Sequence, residues 1–283
     1  RLSLAVLLTQ SELWRDVQSS ALHRQLAADV TDRNRTTCVG STLSWLAIGD
    51  WGQPGPGQQR VASMMSLEAT RTGADFVALV GDNFYPAGVR SWDDPQWKTT
   101  YEDVYHAGSL KVPHYAVLGN HDYRSNTEAQ LEYPKRMPDS HFRLPARWYS
   151  RTFQFGNCEQ LVKSAPTASS KEPAVNTALF IFIDTMVLAA GDGDAFSSEQ
   201  RKEHWQWLEQ QLREASADWI FIVGHHPVYS AGAHGDQEML VQWLDPLLLN
   251  HSVDAYIAGH DHDAQLLKSK EGLSHIICGA GSK

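Results

Sequence analysis

Short apolar runs punctuate the chain, and most of them end in glycine followed by a polar residue. The clearest are "STLSWLAIGD" (41–50), "ADFVALVGD" (74–82), "VPHYAVLGNHD" (112–122), "DWIFIVGHHP" (218–227) and "VDAYIAGHDHD" (253–263). Apolar runs of this length, bounded by turn residues, read as buried strands. "FRLPARWYSRTFQFGN" (142–157) and "TALFIFIDT" (177–185) read as further strands, and "LSHIICGAGSK" (273–283) starts another. The polar stretch between 157 and 176 reads as a long surface loop. Helical spacing fills the other gaps. In "QRVASMMSLEATRTG" (59–73), Val61, Met64, Met65 and Ala69 share one face and Gly73 is the stop signal. "DPQWKTTYEDVYH" (94–106) is predicted helical. "SEQRKEHWQWLEQQLREAS" (198–216) carries Trp205, Leu208 and Leu212 as a buried stripe. "DQEMLVQWLDPLLLNH" (236–251) is predicted helical, with Pro246 expected to kink or restart it. This alternation, with a strand-rich middle, predicts a layered α/β sandwich.

Residues 1–40 differ from the rest. Leu13, Val17, Leu22, Leu26 and Val30 have roughly helical spacing, and we expect an N-terminal extension or stem ahead of one domain over 41–283. "LSLAVLL" is too short to span a bilayer. It reads either as the first turn of an amphipathic helix or as the tail of a signal or anchor, so membrane association through this segment stays open.

Composition changes the picture in two places. The chain has 283 residues and a net charge of −9, with no Lys/Arg-rich run. That balance excludes general affinity for nucleic acid, and an anionic substrate would need a focused positive site. Cys38, Cys158 and Cys278 form no CxxC pair, which excludes a zinc knuckle and leaves either one disulfide with one thiol or three thiols. Asn34 and Asn250 begin N-x-S/T triplets, weak pointers to a glycoprotein of the secretory pathway. The acidic loop "AAGDGDAFSS" (189–198) lacks the later ligands of a calcium-binding EF-hand.

The candidate chemistry lies in the five strand-end turns: "GD" at Asp50, "GDNFY" at Asp82, "GNHD" at Asn120, "GHHP" at His225 and "GHDH" at His260. In open α/β sheets, sites form at the carboxyl ends of strands. One rim would then gather two Asp, a Tyr, an Asn and three His. That set suits two metals. Asp82 can bridge; Asp50, Tyr85 and His262 can complete one site, and Asn120, His225 and His260 the other. Carboxylate and phenolate suit a trivalent ion such as ferric iron, while amide carbonyl and imidazole suit a divalent zinc, iron or manganese. Ferric plus divalent charge, less Asp50, Asp82 and an ionised Tyr85, leaves a net positive centre that a phosphate can use.

Taken together, "AIGDWG", "LVGDNFY", "VLGNHDY", "FIDT", "VGHHPVYSAGAHG", "AGHDHD" and "GAGS" resemble the metallophosphoesterases, and specifically the small, mammalian-type purple (tartrate-resistant) acid phosphatases. The resemblance covers residues 43 to about 282, and Tyr85 is its feature particular to the purple group. It implies a four-layer αββα sandwich of two mixed sheets flanked by helices. The ligand grouping given above leans on this resemblance, which implies it around a ferric and a divalent ion. The resemblance also implies hydrolysis of phosphomonoesters at acidic pH by a metal-bound hydroxide, in a monomeric secreted or lysosomal enzyme. His121 and His234 match histidines that line the family's substrate pocket, so phosphate binding and leaving-group protonation are expected of them. His226 stands where mammalian relatives have Tyr, and it is expected to touch substrate or to hydrogen-bond at the rim. Asp122 is expected either to orient its neighbour or to cap a turn. The loop from about 156 to 176 is longer than in those relatives, the cysteine pattern differs, and the family's strands beyond "GAGS" have no counterpart here. Two other readings remain: a non-catalytic scaffold or membrane anchor, and a phosphodiesterase or nucleotidase on the same fold. Substrate choice is expected to reside in the loops around 86–95, 187–198 and 226–236.

Overall fold

The computed structural model describes residues 34–156, 175–189 and 196–283. The expected helical stripe from Leu13 to Val30 and most of the 157–176 loop lie outside these residues.

Two sheets form the centre. The smaller is parallel throughout, in the order β2 (Trp45–Ile48), β3 (Phe76–Leu79), β4 (His114–Ala116), β5 (Phe142–Arg143). The larger is mixed. Its order is β1 (Asn34–Cys38), β6 (Tyr149–Gly156), β7 (Val175–Phe182), β8 (Trp219–Val223), β9 (Ala255–Ala258), β11 (Ser274–Cys278), β10 (Ala264–Lys268). The expected domain boundary at residue 40 falls two residues after β1, which pairs in parallel with β6.

The period-2 pattern of the central strands makes the layers. Ala178, Phe180 and Phe182 of β7 face the smaller sheet, where Phe76 stacks on Phe153 at 4.5 Å and meets Phe180 edge-on at 5.0 Å. Leu179, Ile181 and Ile183 point the other way, into a second core. That second core is closed by α4 (Ser198–Glu214) through Leu208 and Leu212, and by α5 (Glu238–Asn250) through Leu240, Leu244 and Leu248. β8 and β9 divide the same way, with Ile257 in the first core and Tyr256 in the second. A strand buried on both faces needs apolar residues at every position, which is why these runs are continuous. On the far side, α1 (Pro56–Thr72) packs Ala62, Met65 and Ala69 into the first core, and α2 (Thr127–Arg136) lies beside β5. The result is a helix–sheet–sheet–helix stack.

Helix ends follow their signals. Gly73 closes α1 in the left-handed conformation (φ 67°), and Ser197 and Gln200 form a reciprocal capping box at α4. Two expectations need correction. Residues 94–106 are helical only in part: a short π-helix spans Trp97–Glu102, where Trp97, Thr100 and Tyr101 are buried. Pro246 does not split its helix, because Leu240, Leu244 and Leu248 keep one buried stripe across it. Burying three leucines outweighs the one backbone hydrogen bond that a proline removes.

Candidate metal centre

The five expected turns converge at the carboxyl ends of β2, β3, β4, β8 and β9. The chain turns sharply there. Asp50, Asp82 and His260 adopt positive φ (56°, 52° and 71°), which costs a non-glycine residue energy and is sustained only where surrounding contacts hold it. The preceding glycines allow loops to touch. A Cβ on Gly119 would lie 2.3 Å from the Asp82 amide nitrogen, and one on Gly259 would lie 2.5 Å from Asp50 Oδ2.

Two groups of donors share Asp82. In the first, the Tyr85 hydroxyl lies 3.0 Å from Asp50 Oδ1, 2.8 Å from Asp82 Oδ2 and 3.2 Å from His262 Nε2. In the second, Asn120 Oδ1 lies 3.1 Å from His225 Nε2 and 3.0 Å from His260 Nδ1. Asp82 Oδ1 connects them, 3.5 Å from His225 Nε2. Around an octahedral ion with bonds of about 2.1 Å, neighbouring donors lie about 3.0 Å apart. The observed separations fit that spacing. Asp50, Asp82 and His225 place one ligand atom each within 4.8 Å of one another, as do His225, His226 and His260.

The supports show which atoms are free to bind. His225 Nδ1 faces the Val80 carbonyl at 2.9 Å. A carbonyl only accepts, so Nδ1 carries the proton and the Nε2 lone pair faces the centre. Asp50 Oδ2 accepts from the His260 amide at 2.8 Å, and Asp82 Oδ1 accepts from the His121 amide at 2.8 Å. Ser282, in "GAGS", donates to the Asp50 carbonyl and so fixes that turn.

Electrostatics favour a cation. Burial raises the Tyr85 phenol far above its ordinary value, and the Asp50 and Asp82 carboxylates raise it further. An ionised Tyr85 here requires positive charge beside it. Burial also acts on Asp82, but His225 and the His121 amide outweigh it and hold the carboxyl below its usual range. His260 is pushed down to about 3 by burial and by His225 and His234.

The remaining expected residues sit around this group. His121 Nδ1 faces the Pro86 carbonyl at 2.7 Å, so its Nε2 is the nitrogen on the Asp82 side, 3.9 Å from Oδ2. The His234 ring lies 4.1 Å from that of His260, and its amide donates to Asp261 Oδ1 at 2.9 Å. His226 is buried, with Nδ1 2.8 Å from Thr185 Oγ1 and its ring 4.5 Å from His260. Burial and its histidine neighbours drive its pKa well down, so it is a neutral partner.

Sequence reasoning missed the layer beneath. Of the two roles expected of Asp122, its carboxylate takes the capping one, lying across the "GNHD" turn on the Gly119 amide, and it reaches further. It accepts from the amides of Gly119 (2.8 Å), Asn83 (3.1 Å) and Phe84 (3.3 Å) and from Gln130 Nε2 (2.8 Å), which ties the "GDNFY" loop to the "GNHD" loop. Asn83 completes this with bonds to the Val117 carbonyl, Gln130 and Trp51. Asp184 caps α3 (Thr185–Leu188), accepts from Tyr123, and places Thr185 against His226. The signals were the amide and acid inside the motifs themselves, "GDNFY", "GNHD" and "FIDT".

The model of the calcineurin-like phosphoesterase family matches residues 44–264. The chain belongs to this family. Among its relatives, tartrate-resistant acid phosphatase type 5 of Homo sapiens is 34% identical over 85% of this chain and 73% of its own length. The Rattus norvegicus protein of that name is 33% identical over 87% and 74%. Purple acid phosphatase 7 of Arabidopsis thaliana is 33% identical over 86% and 71%. A solved structure titled "GAP50 the anchor in the inner membrane complex of Plasmodium" superposes with TM-score 0.72 at 32% identity, covering 85% of this chain and 72% of that one. This phosphoesterase is therefore a relative of the purple acid phosphatases, a phosphoester hydrolase whose homologues imply a dinuclear metal centre.

Proposed function

We propose that the chain is an acid phosphatase. It hydrolyses phosphomonoesters at a centre where Asp50, Asp82, Tyr85 and His262 hold ferric iron. In this reading Asp82, Asn120, His225 and His260 hold a divalent iron, zinc or manganese. The observation that carries this reading is the Tyr85 hydroxyl, placed among two carboxylates and an imidazole at 2.8–3.2 Å. When bound, the two cations supply an acidified water and neutralise charge on the phosphate.

The chain's own groups do the rest. His121 Nε2, beside Asp82, and the His234 ring, beside His260, bind phosphate oxygens and give a proton to the leaving alkoxide. His226 shapes the rim as a neutral hydrogen-bonding group held by Thr185. The Asp122 network holds the two central loops in register before substrate arrives. The disulfide at Cys38 supports placement in the secretory pathway, lysosomal or extracellular. Glycosylation at Asn34 and Asn250 and a monomeric state belong to the same reading.

The test is a visible spectrum of iron-loaded protein, repeated on Tyr85→Phe. A purple band that the variant loses supports the assignment. Colourless protein with full iron content removes Tyr85 from the metal. A second reading is favoured by the neighbour whose title calls it an anchor: a scaffold that holds metal without turnover. Purple protein without phosphatase activity would select it.

A further inference from the structure

The loop that carries His234 runs from β8 to α5, and its own hydrogen bonds close it. The Gln237 amide donates to the Val228 carbonyl at 3.1 Å, and the Ser230 amide donates to Asp236 Oδ1 at 2.9 Å. Bonds within the loop fix its shape but not its place over the metal centre. His234 itself is exposed, so its side chain has little packing to hold it.

One side chain reaches into the loop from the ligand turn. Asp261 stands in "GHDH" between His260 and His262 and is only 2% exposed. Its Oδ1 accepts from the His234 amide at 2.9 Å, and its Oδ2 accepts from the Ser230 hydroxyl. The loop lies directly on this carboxylate: a Cβ on Gly232 would fall 2.4 Å from Asp261 Cγ. Ser230 Oγ in turn accepts from the Gly232 amide and from Gln265 Nε2, each at 2.9 Å. Those two donors take both lone pairs of the hydroxyl oxygen, so its hydrogen is left for Asp261. A carboxylate fits this place because it accepts twice. An amide would accept from His234 but turn an NH₂ group toward an oxygen with no lone pair left.

We infer that Asp261 is a positioning residue, which sets the place of His234 over the substrate site from the turn that carries His260 and His262. Both of its oxygens are engaged by the loop, unlike the donor atoms of its two neighbours, so it acts through His234 and not as a ligand. Bonds from an amide and a hydroxyl to a carboxylate are charge-assisted, which makes them the strongest links between the loop and the turn. The inference rests on the reading of His234 as a group that binds phosphate.

Asp261→Asn, His234→Gln and the double variant are to be compared with the wild type as metal-loaded full chains, with inorganic phosphate as the calorimetric probe. Asp261→Asn is expected to keep its metal and to bind phosphate at least about fivefold more weakly. In the His234→Gln background the same change should weaken phosphate by less than about twofold, because its effect passes through the missing imidazole. A residue that only stabilises the fold would weaken both backgrounds equally. In the metal-free protein, exchange of the His234 amide, read by NMR, should quicken at least about tenfold in Asp261→Asn. Phosphate binding unchanged by His234→Gln would overturn the reading of His234, and this inference with it. A loss in His234→Gln with none in Asp261→Asn would overturn this inference alone. Equal losses in the two backgrounds, loss of metal in Asp261→Asn or an unchanged exchange rate would do the same. If Asp261→Asn does not fold, Ser230→Ala removes one of its partners and leaves the ligand turn intact. That variant is expected to bind phosphate about threefold more weakly than the wild type, and unchanged binding would overturn the inference.

Discussion

His225 and His204 are both fully buried, in different layers, and they end in opposite electrostatic states. At His225, burial disfavours charge, but Asp82 and Asp50 outweigh it and the pKa is raised. At His204, on α4, burial acts alone and the pKa falls well below the ordinary value. Among the described residues neither ring nitrogen of His204 has a hydrogen-bond partner, and the ring stacks on Trp148 at 4.2 Å, nearly parallel. The comparison teaches that burial alone does not mark a histidine as a functional group. His225 differs because its neighbours are anionic, and because the Val80 carbonyl sets which nitrogen faces them.

The strongest way to break the comparison is to remove the anion. Asp82→Asn leaves His225 buried beside a neutral amide and takes away the group shared by both halves of the centre. We expect phosphatase activity to fall at least about a hundredfold, together with bound metal. Metal analysis alongside a steady-state assay checks this. Full metal content with wild-type turnover would remove Asp82 from the bridging position.

A smaller effect is expected one layer down. Burial and the Asp82 charge push Asp122 up to about 7, against the four N–H donors that converge on it. Asp122→Asn turns an NH₂ group toward donors that have only one acceptor left. The loops then lose register while the ligands remain. Metal affinity should drop by about 10- to 100-fold with the fold retained. Competition against a chelator, with circular dichroism as the control, reads both. Unchanged affinity would reduce Asp122 to a folding role.

How much of this was legible in the sequence follows the range of the interactions. The five strand-end turns were legible because strand, glycine and ligand are adjacent in the chain. All ten expected site residues lie in or around the one cleft for that reason. β1 and β10 were not legible. "NRTTC" has no apolar face of its own and is a strand through its pairing with β6. "AQLLK" is an edge strand with only alternate partial burial. Residues 94–106 carry helical spacing, yet Trp97 and Tyr101 are drawn into an aromatic cluster with Tyr133 and Phe142, and tertiary packing wins over local preference. Asp261 lies 31 and 27 positions from its partners Ser230 and His234, so no local pattern announces that link.

The smallest expected effect sharpens the other side of the comparison. His204 must stay neutral in the folded chain, while the unfolded chain protonates it near pH 6.5. Its folded pKa is the lowered one, so its contribution is fully present above about pH 6.5. As pH falls below that value, the unfolded state takes up the proton and the folded state does not. Stability is then lost by at most about 1.4 kcal/mol per pH unit, until the folded pKa is reached. His204→Leu keeps a similar volume against Trp148 and removes the proton site. We expect urea unfolding at pH 7.5 to change little, and the loss between pH 7.5 and pH 5 to be about 2 kcal/mol smaller in the variant than in the wild type. An equal loss in both would mean that His204 finds a partner or water on protonation. His225 and His204 would then differ in degree only, and the contrast would have to rest on the metal ligands.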